Sequence, residues 1–349
     1  MNGIITKGLY IYGIIPNYYD PEQFRKLDSA GVFIISFEKV SAIVSKSSVI
    51  DYRKLSVEPL AKLLVDHQKT IESLMNMGFN TIIPMRLGTF ANNVTEVIQI
   101  LEKGYDLIME TAEKVTNLLE IDVVSIYSDF GQALAEIAVS PKVLEMKAKI
   151  EESKATITQS DQLSIGYLVK NMLDEKKDEY AAKIKDALEP FCQNAKQHEL
   201  MDDQMVSNTA FLVKQSKLPL FEKALDQLDE SLNGKLNFKM VGPLPCYSFY
   251  TMEVKELCFN EIESAKKELG LSNSTSEKSI KQAYLEKAKL FHPDMNQGDG
   301  NSVIFNRINK AYQTMLDYVN AVKPASREDQ FSLLFDSVIG NSFFLKIKD

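Results

Sequence analysis

The chain has 349 residues, 45% of them apolar and 25% charged, with a formal net charge of −8. That length predicts two to three domains with full cores. The acidic balance argues against a general nucleic-acid binder and against a protein held on an anionic membrane surface. Three cysteines without a C-x-x-C pair argue against a disulfide framework or a zinc ribbon. The opening MNGIITKGLYIYGIIP is too short and too polar for a secretory signal. No apolar run approaches the ~18 residues of a membrane span. A reducing cytoplasm is the expected compartment.

In chain order, GLYIYGIIP (8–16) reads as a buried strand stopped by Pro16. Residues 32–46 read as one or two more strands. A helix is predicted from about Val57 to Met77, with Leu60, Leu64, Ile71, Leu74 and Met75 at helical spacing and Gly78 as its stop. TIIPM (81–85) is a short strand, and 93–118 is an amphipathic helix through Val97, Leu101, Ile108, Ala112 and Val115. A second unit starts near Asp122, with a strand at 123–128. Two long helices follow at about 130–152 and 163–199, joined by the polar linker SKATITQSDQ (153–162). Then come a strand (208–215), a helix (219–232) and one long strand (235–254) broken at Gly242-Pro243. From Glu256 the chain turns helical, with helices at 279–291 and 302–319, and SFFLKIKD (342–349) alternates like an edge strand.

Three stretches resemble gas vesicle accessory proteins of the L/F type: GLYIYGII, VEPLAKLLVDHQKTIESLM followed by IIPMRLGT, and FKMVGPLPCYSFYTMEV. The residues that carry the likeness are His67, Arg86, Gly88, Gly242, Pro243 and Tyr247. Leu87 and Cys246 depart from the family's usual Phe and Pro. The resemblance covers about 1–255. It implies a cytoplasmic, non-enzymatic protein needed to assemble gas vesicles, binding the small hydrophobic shell protein and other accessory proteins and ending as a minor vesicle component. Two routes to the shell protein are open: strand addition to the sheet begun by 8–16, or an amphipathic helix on the long helices of 130–199.

KKELGLSNSTSEKSIKQAYLEKAKLFHPDMNQGDGNSVIFNRINKAYQTMLDY resembles a J-domain, through Leu269-Gly270-Leu271, Ile280, Ala283-Tyr284, His292-Pro293-Asp294, Phe305, Ile308 and Ala311-Tyr312. Two apolar stripes predict a pair of packed helices with the His-Pro-Asp loop at the tip. Pro293 biases His292 out of helical geometry. The resemblance implies that this loop, with Lys281 and Lys287 on the preceding helix, docks a DnaK-type chaperone. Leu285 and Glu286 stand where the family has two basic residues, and Pro324 with ASREDQ replaces a basic fourth helix. The coupling is therefore expected to be weak or lost. A calcium loop fails, since Asp299 and Phe305 occupy the positions that need Gly and Glu.

The expected architecture is α+β. Two tandem ferredoxin-like-type domains span 1–120 and 121–255, the second with a long helical hairpin. A small all-α J-domain-like module (256–325) and a tail (326–349) follow. His67, on an apolar helix stripe, reads as a core histidine with a satisfied hydrogen bond or as a binding residue. Arg86 reads as the partner of a carboxylate at a strand–loop junction or as a partner contact. His198 reads as a helix C-terminal cation. No phosphate loop, nucleophile–base pair or metal cluster is visible, so no cofactor is expected.

Overall fold

The computed structural model describes residues 7–19, 31–48, 56–153, 158–256, 259–272, 274–291, 299–322, 331–332 and 343–347. β1 (Lys7–Pro16) is buried on both faces over almost its whole length, which is why it reads as an unbroken apolar run and not as an alternation. It lies between β3 (Val40–Ser48) and β4 (Ile83–Pro84), with β2 (Phe33–Phe37) outside β3 and β5 (Phe90–Ala91) also paired to β1. All these pairings are antiparallel. One face carries α1 (Val57–Asn76), whose Ile71 and Leu74 pack with Ile15, Ile43 and Phe79. The other carries α2 (Val94–Lys103) and α3 (Tyr105–Val115), through Val97, Ile100, Leu101 and Ile108.

Two expectations about these helices change. The apolar stripe of α1 is only half used, since Leu60 and Leu64 are exposed at 36% and 55%. The single helix of 93–118 is two helices meeting at Gly104, and by Leu118 the chain is already in the next strand.

That strand, β6 (Leu118–Tyr127), opens the second unit. α4 (Phe130–Ala138), α5 (Pro141–Ser153) and α6 (Gln159–Leu188) follow, then β7 (Cys192–Gln197), β8 (Met205–Lys214), α7 (Leu218–Ser231) and β9 (Leu236–Leu244). The sheet order is β7-β8-β6-β9. In each sheet the first strand sits between the third and the fourth, and the second lies outside, so the two units repeat one ferredoxin-like antiparallel layout.

The expected helix of 130–152 breaks before Pro141, which starts a new helix where its missing N–H costs nothing. α6 begins inside the expected linker because Thr158 and Asp161 form a capping box; residues 154–157 lie outside the described residues. The helix expected to reach 199 stops at Leu188, and 192–197 is an edge strand. The long strand of 235–254 is three elements: β9, a single turn α8 (Tyr247–Tyr250), and β10 (Met252–Glu256).

α9 (Phe259–Leu269), α10 (Glu277–Phe291) and α11 (Asp299–Val322) share their own core of Ile262, Leu269, Ile280, Ile308, Met315 and Val319. Tyr284 stacks on Tyr312 at 4.2 Å. A short ladder joins β11 (Ser274–Thr275) to β12 (Phe331–Ser332). β13 (Phe343–Ile347) returns to pair with β10, as an edge strand should. Among the described residues no helix is long and apolar enough to cross a membrane.

Candidate functional site at the cleft between the two sheets

A cleft of about 900 Å³ opens between the first and second units. Its first wall is α1, which brings His67 to the interior and leaves Leu64 and Val65 exposed at the mouth. His67 is 5% exposed. Its Nδ1 lies 2.7 Å from the Tyr10 hydroxyl, and its Nε2 lies 3.1 Å from that of Tyr247. The Tyr12 ring stacks on it at 5.4 Å. Burial lowers its pKa from 6.5 to about 4, so at neutral pH it is an uncharged bridge from β1 to α8. The hydrogen-bonded core histidine is the arrangement found, although the residue also lines the cleft.

The second wall is β6. Ile121 and Val123 point into the second core, so Glu120 and Asp122, on the opposite face, point into the cleft. Glu120 is 1% exposed and accepts from Ser248 N at 2.7 Å and from Ser248 Oγ at 2.8 Å. Desolvation outweighs these bonds and raises its carboxyl to about 7. Asp122 is also raised by burial, and its Oδ1 is buried without a hydrogen-bond partner. Ser248 Oγ lies 3.1 Å from His198 Nε2, and Lys196 Nζ donates to the Ser248 carbonyl at 3.2 Å.

This cluster has a serine, a histidine and two acids, but Glu120 bonds the serine and not the imidazole. In a relay triad the acid orients the histidine, so the arrangement anchors α8 and does not activate Ser248. Among the described residues no group of three or more His, Cys, Asp or Glu is placed to hold a metal ion. The helix-terminus reading of His198 is overturned, because it follows β7 and its backbone N–H bonds Asn208 O.

The remaining motif residues build the frame. Arg86 donates from Nη1 to Glu253 Oε2 at 2.7 Å, and its backbone N–H donates to Met252 O at 2.7 Å, so it ties β4 to β10. Gly88, at φ +88°, turns the chain between Arg86 and Thr89. Gly242 and Pro243 form the bulge in β9 opposite Ile121. A Cβ on Gly242 would sit 2.9 Å from the Glu120 carbonyl oxygen, so only glycine lets β9 approach there. Cys246 is buried in the first core, and Phe249 and Tyr250 pack against that core. Lys281 is exposed on α10, whereas Lys287 donates to the Glu268 carbonyl at the end of α9. His292, Pro293 and Asp294 lie outside the described residues.

Sequence reasoning missed Glu120, Asp122 and Ser248. The signal was present: L-L-E-I-D-V-V places two acids at period two inside an apolar run. It was hidden because the apolar spacing of α3 runs without a break into β6.

His67, Arg86 and Tyr247, drawn from three separate stretches, thus meet at one cleft. The profile of the family "Gas vesicle synthesis protein GvpL/GvpF" matches residues 8–251, which span both sheets. The chain belongs to this family. Gas vesicle protein F of a Nostoc species is 25% identical over 248 residues, covering 70% of this chain and 98% of that relative. The protein of the same name from Microcystis aeruginosa is 22% identical over 247 residues, 70% of this chain and 98% of that one. The crystal structure of GvpF from an Anabaena species superposes with a TM-score of 0.58 at 23% identity, covering 69% of this chain and 97% of that one. At that identity the likeness is one of fold. The DnaJ domain profile matches residues 267–321. The chaperone protein DnaJ of Limosilactobacillus reuteri is 47% identical over 49 residues, which is 14% of this chain and 13% of that protein.

Proposed function

We propose that this chain is a non-enzymatic gas vesicle assembly protein of the cytoplasm. It binds the hydrophobic shell protein, limits its aggregation, works beside other accessory proteins and ends as a minor vesicle component. The observation that carries this reading is the family match across both sheets. The cleft supplies a seat: Leu64 and Val65 offer exposed apolar surface at its mouth, at 55% and 48% exposure. The test is capture of the purified major shell protein by the full-length chain. We expect capture, and a loss of at least about tenfold when Leu64 and Val65 are both changed to Asp. Failure of the wild-type chain to capture it overturns the reading.

The DnaJ profile favours a second reading, a general co-chaperone of a DnaK-type ATPase. Three features of α10 weigh against strong coupling. Leu285 is 47% exposed where a basic residue is usual, Glu286 is exposed beside it, and the Lys287 ammonium is engaged by Glu268. An assay of stimulated ATP hydrolysis should show weak stimulation, little changed by His292→Gln. Strong stimulation lost in that variant would bring the co-chaperone reading to the front.

A further inference from the structure

The helix between the third and fourth strands, α1 in the first unit and α7 in the second, marks the same face of each sheet. In the first unit the opposite face is covered by α2 and α3, through Val97, Ile100, Leu101 and Ile108. In the second unit α4, α6 and α7 share one face, around Ile121, Val123 and Phe211. Among the described residues the second unit has no helix of its own on the other. Alternate residues of β6 show how far that face is covered. Leu118 belongs to the first core, and Glu120 is buried against Ser248. Asp122 and Val124 are half-buried, and Ile126 is 38% exposed. Val241 of β9 and Asn208 of β8, register partners of Asp122 and Val124, are half-buried as well. The face thus opens step by step away from the first unit. One side of it is walled by the half of α1 that has core spacing without a core, since Leu64 and Val65 line the same cleft as Asp122 and Val241. The result is a groove with a sheet for its floor and a helix for a wall.

The floor of this groove carries one polar atom that the chain does not satisfy. Asp122 Oδ1 is buried without a hydrogen-bond partner. Lys69, Arg86 and Lys196 all line the cleft, and none of them bonds that oxygen. Arg86 is held by Glu253, and Lys196 by the Ser248 carbonyl. A buried carboxylate oxygen left unpaired is costly, and a charge-assisted bond from a cation offsets that cost.

We propose that this groove seats one amphipathic helix of the shell protein, and that a lysine or arginine within the apolar face of that helix pairs with Asp122. The inference rests on the reading of the chain as a binder of that protein, and adds which element is bound and by what chemistry. The seated helix covers Val124, Ile126 and Val241 from above and meets Leu64 and Val65 at its side. It stands to the second sheet as α2 and α3 stand to the first. Its long basic side chain lays an apolar stem along Val124 and Val241 and delivers its charge to Asp122 Oδ1. Apolar contact supplies affinity, and the buried pair selects a helix with a cation at that one position.

The test uses the full-length protein and fluorescein-labelled peptides of about 20 residues that tile the major shell protein, read by fluorescence polarisation. At least one peptide should bind, gain helical circular dichroism on binding, and carry a lysine or arginine among its apolar residues. Changing that residue to Met should weaken binding at least about tenfold, and so should Asp122→Asn with the unchanged peptide. Together the two changes should cost little more than either alone, as a direct pair requires. Ile126→Asp alters an exposed position outside the cores and should also weaken binding at least about tenfold. Capture of the whole shell protein that survives both Asp122→Asn and Ile126→Asp overturns this inference and leaves the proposed function standing. A bound peptide that stays extended, or whose basic residue and Asp122 contribute additively, overturns it as well. So does a free chain that sediments as a dimer dissociated by Ile126→Asp, since the groove would then seat a second copy. Failure of the wild-type chain to capture the shell protein overturns both readings.

Discussion

His67 and Glu120 are buried titratable groups whose effects on stability run in opposite directions. The unfolded imidazole takes up a proton near pH 6.5, whereas the folded one resists until about 4. The unfolded chain therefore binds more protons between those values, and stability falls as pH drops through that window, by up to about 3 kcal/mol. Glu120 has the opposite sign, with a folded pKa of about 7 against an ordinary 4.5. The folded chain binds the extra proton, so the stability it contributes is full below pH 4.5 and is lost as pH rises to about 7. The two slopes overlap between 4.5 and 6.5 and oppose each other, so single variants reveal what the wild-type curve hides. His67→Gln should flatten the fall in urea midpoint on the acid side. Glu120→Gln should remove the loss on the neutral side and be at least as stable as wild type at pH 8. Its amide can accept from Ser248 N and donate to Ser248 Oγ, which then donates to His198. A Glu120→Gln chain that is less stable at pH 8 would refute the neutral-carboxyl account of this site.

At the scale of elements, the bulge at Gly242 fixes how β9 meets β6. Gly242→Ala puts a methyl against the Glu120 carbonyl and Ile121 at a φ of +144°, and should cost well over ~1 kcal/mol in thermal or urea unfolding. Legibility followed the strength of local signals. β1 was readable because its apolar run is bounded by Pro16, and α7 because Phe221, Leu225 and Leu228 repeat at helical spacing and all are buried. β7 was not readable. CQNAKQ has no apolar alternation and takes its place in the sheet through its ladder to β8, a contact that local sequence does not encode. The exposed half of α1 misled in the other direction, since Leu60 and Leu64 have core spacing without a core. The motif residues His67, Arg86 and Tyr247 were visible one by one. Their meeting at a cleft was not, because it depends on how the two sheets face each other.

At the scale of the molecule, specific bonds join the two sheet units and the helical module, beside the apolar packing that brings Leu118 and Leu212 into the first core. The Tyr10–His67–Tyr247 chain and the Arg86–Glu253 pair join the first two units. Lys255 and the buried Asp317, 3% exposed, join β10 to α11. Lys255→Met would leave that carboxylate without its cation, a change that costs ~3–5 kcal/mol where the charge is buried. Calorimetry of this variant should show the three-helix module melting ahead of the rest, as a separate transition. A single unshifted transition would mean that Gln313, which also bonds Asp317, suffices to hold it.

The pairing of Glu256 with Phe343 has a topological consequence. The chain leaves the body and returns to it at neighbouring points, so everything between is a cassette inserted into what would otherwise be a hairpin. Replacing residues 257–342 by a two-residue Asn-Gly turn should close β10 directly onto β13 without moving either strand. It would also shorten the loop whose closure the ladder must offset. Such a miniature, if it keeps the fold of both sheets by circular dichroism and exchange protection, would show that the scaffold folds and closes without the helical cassette.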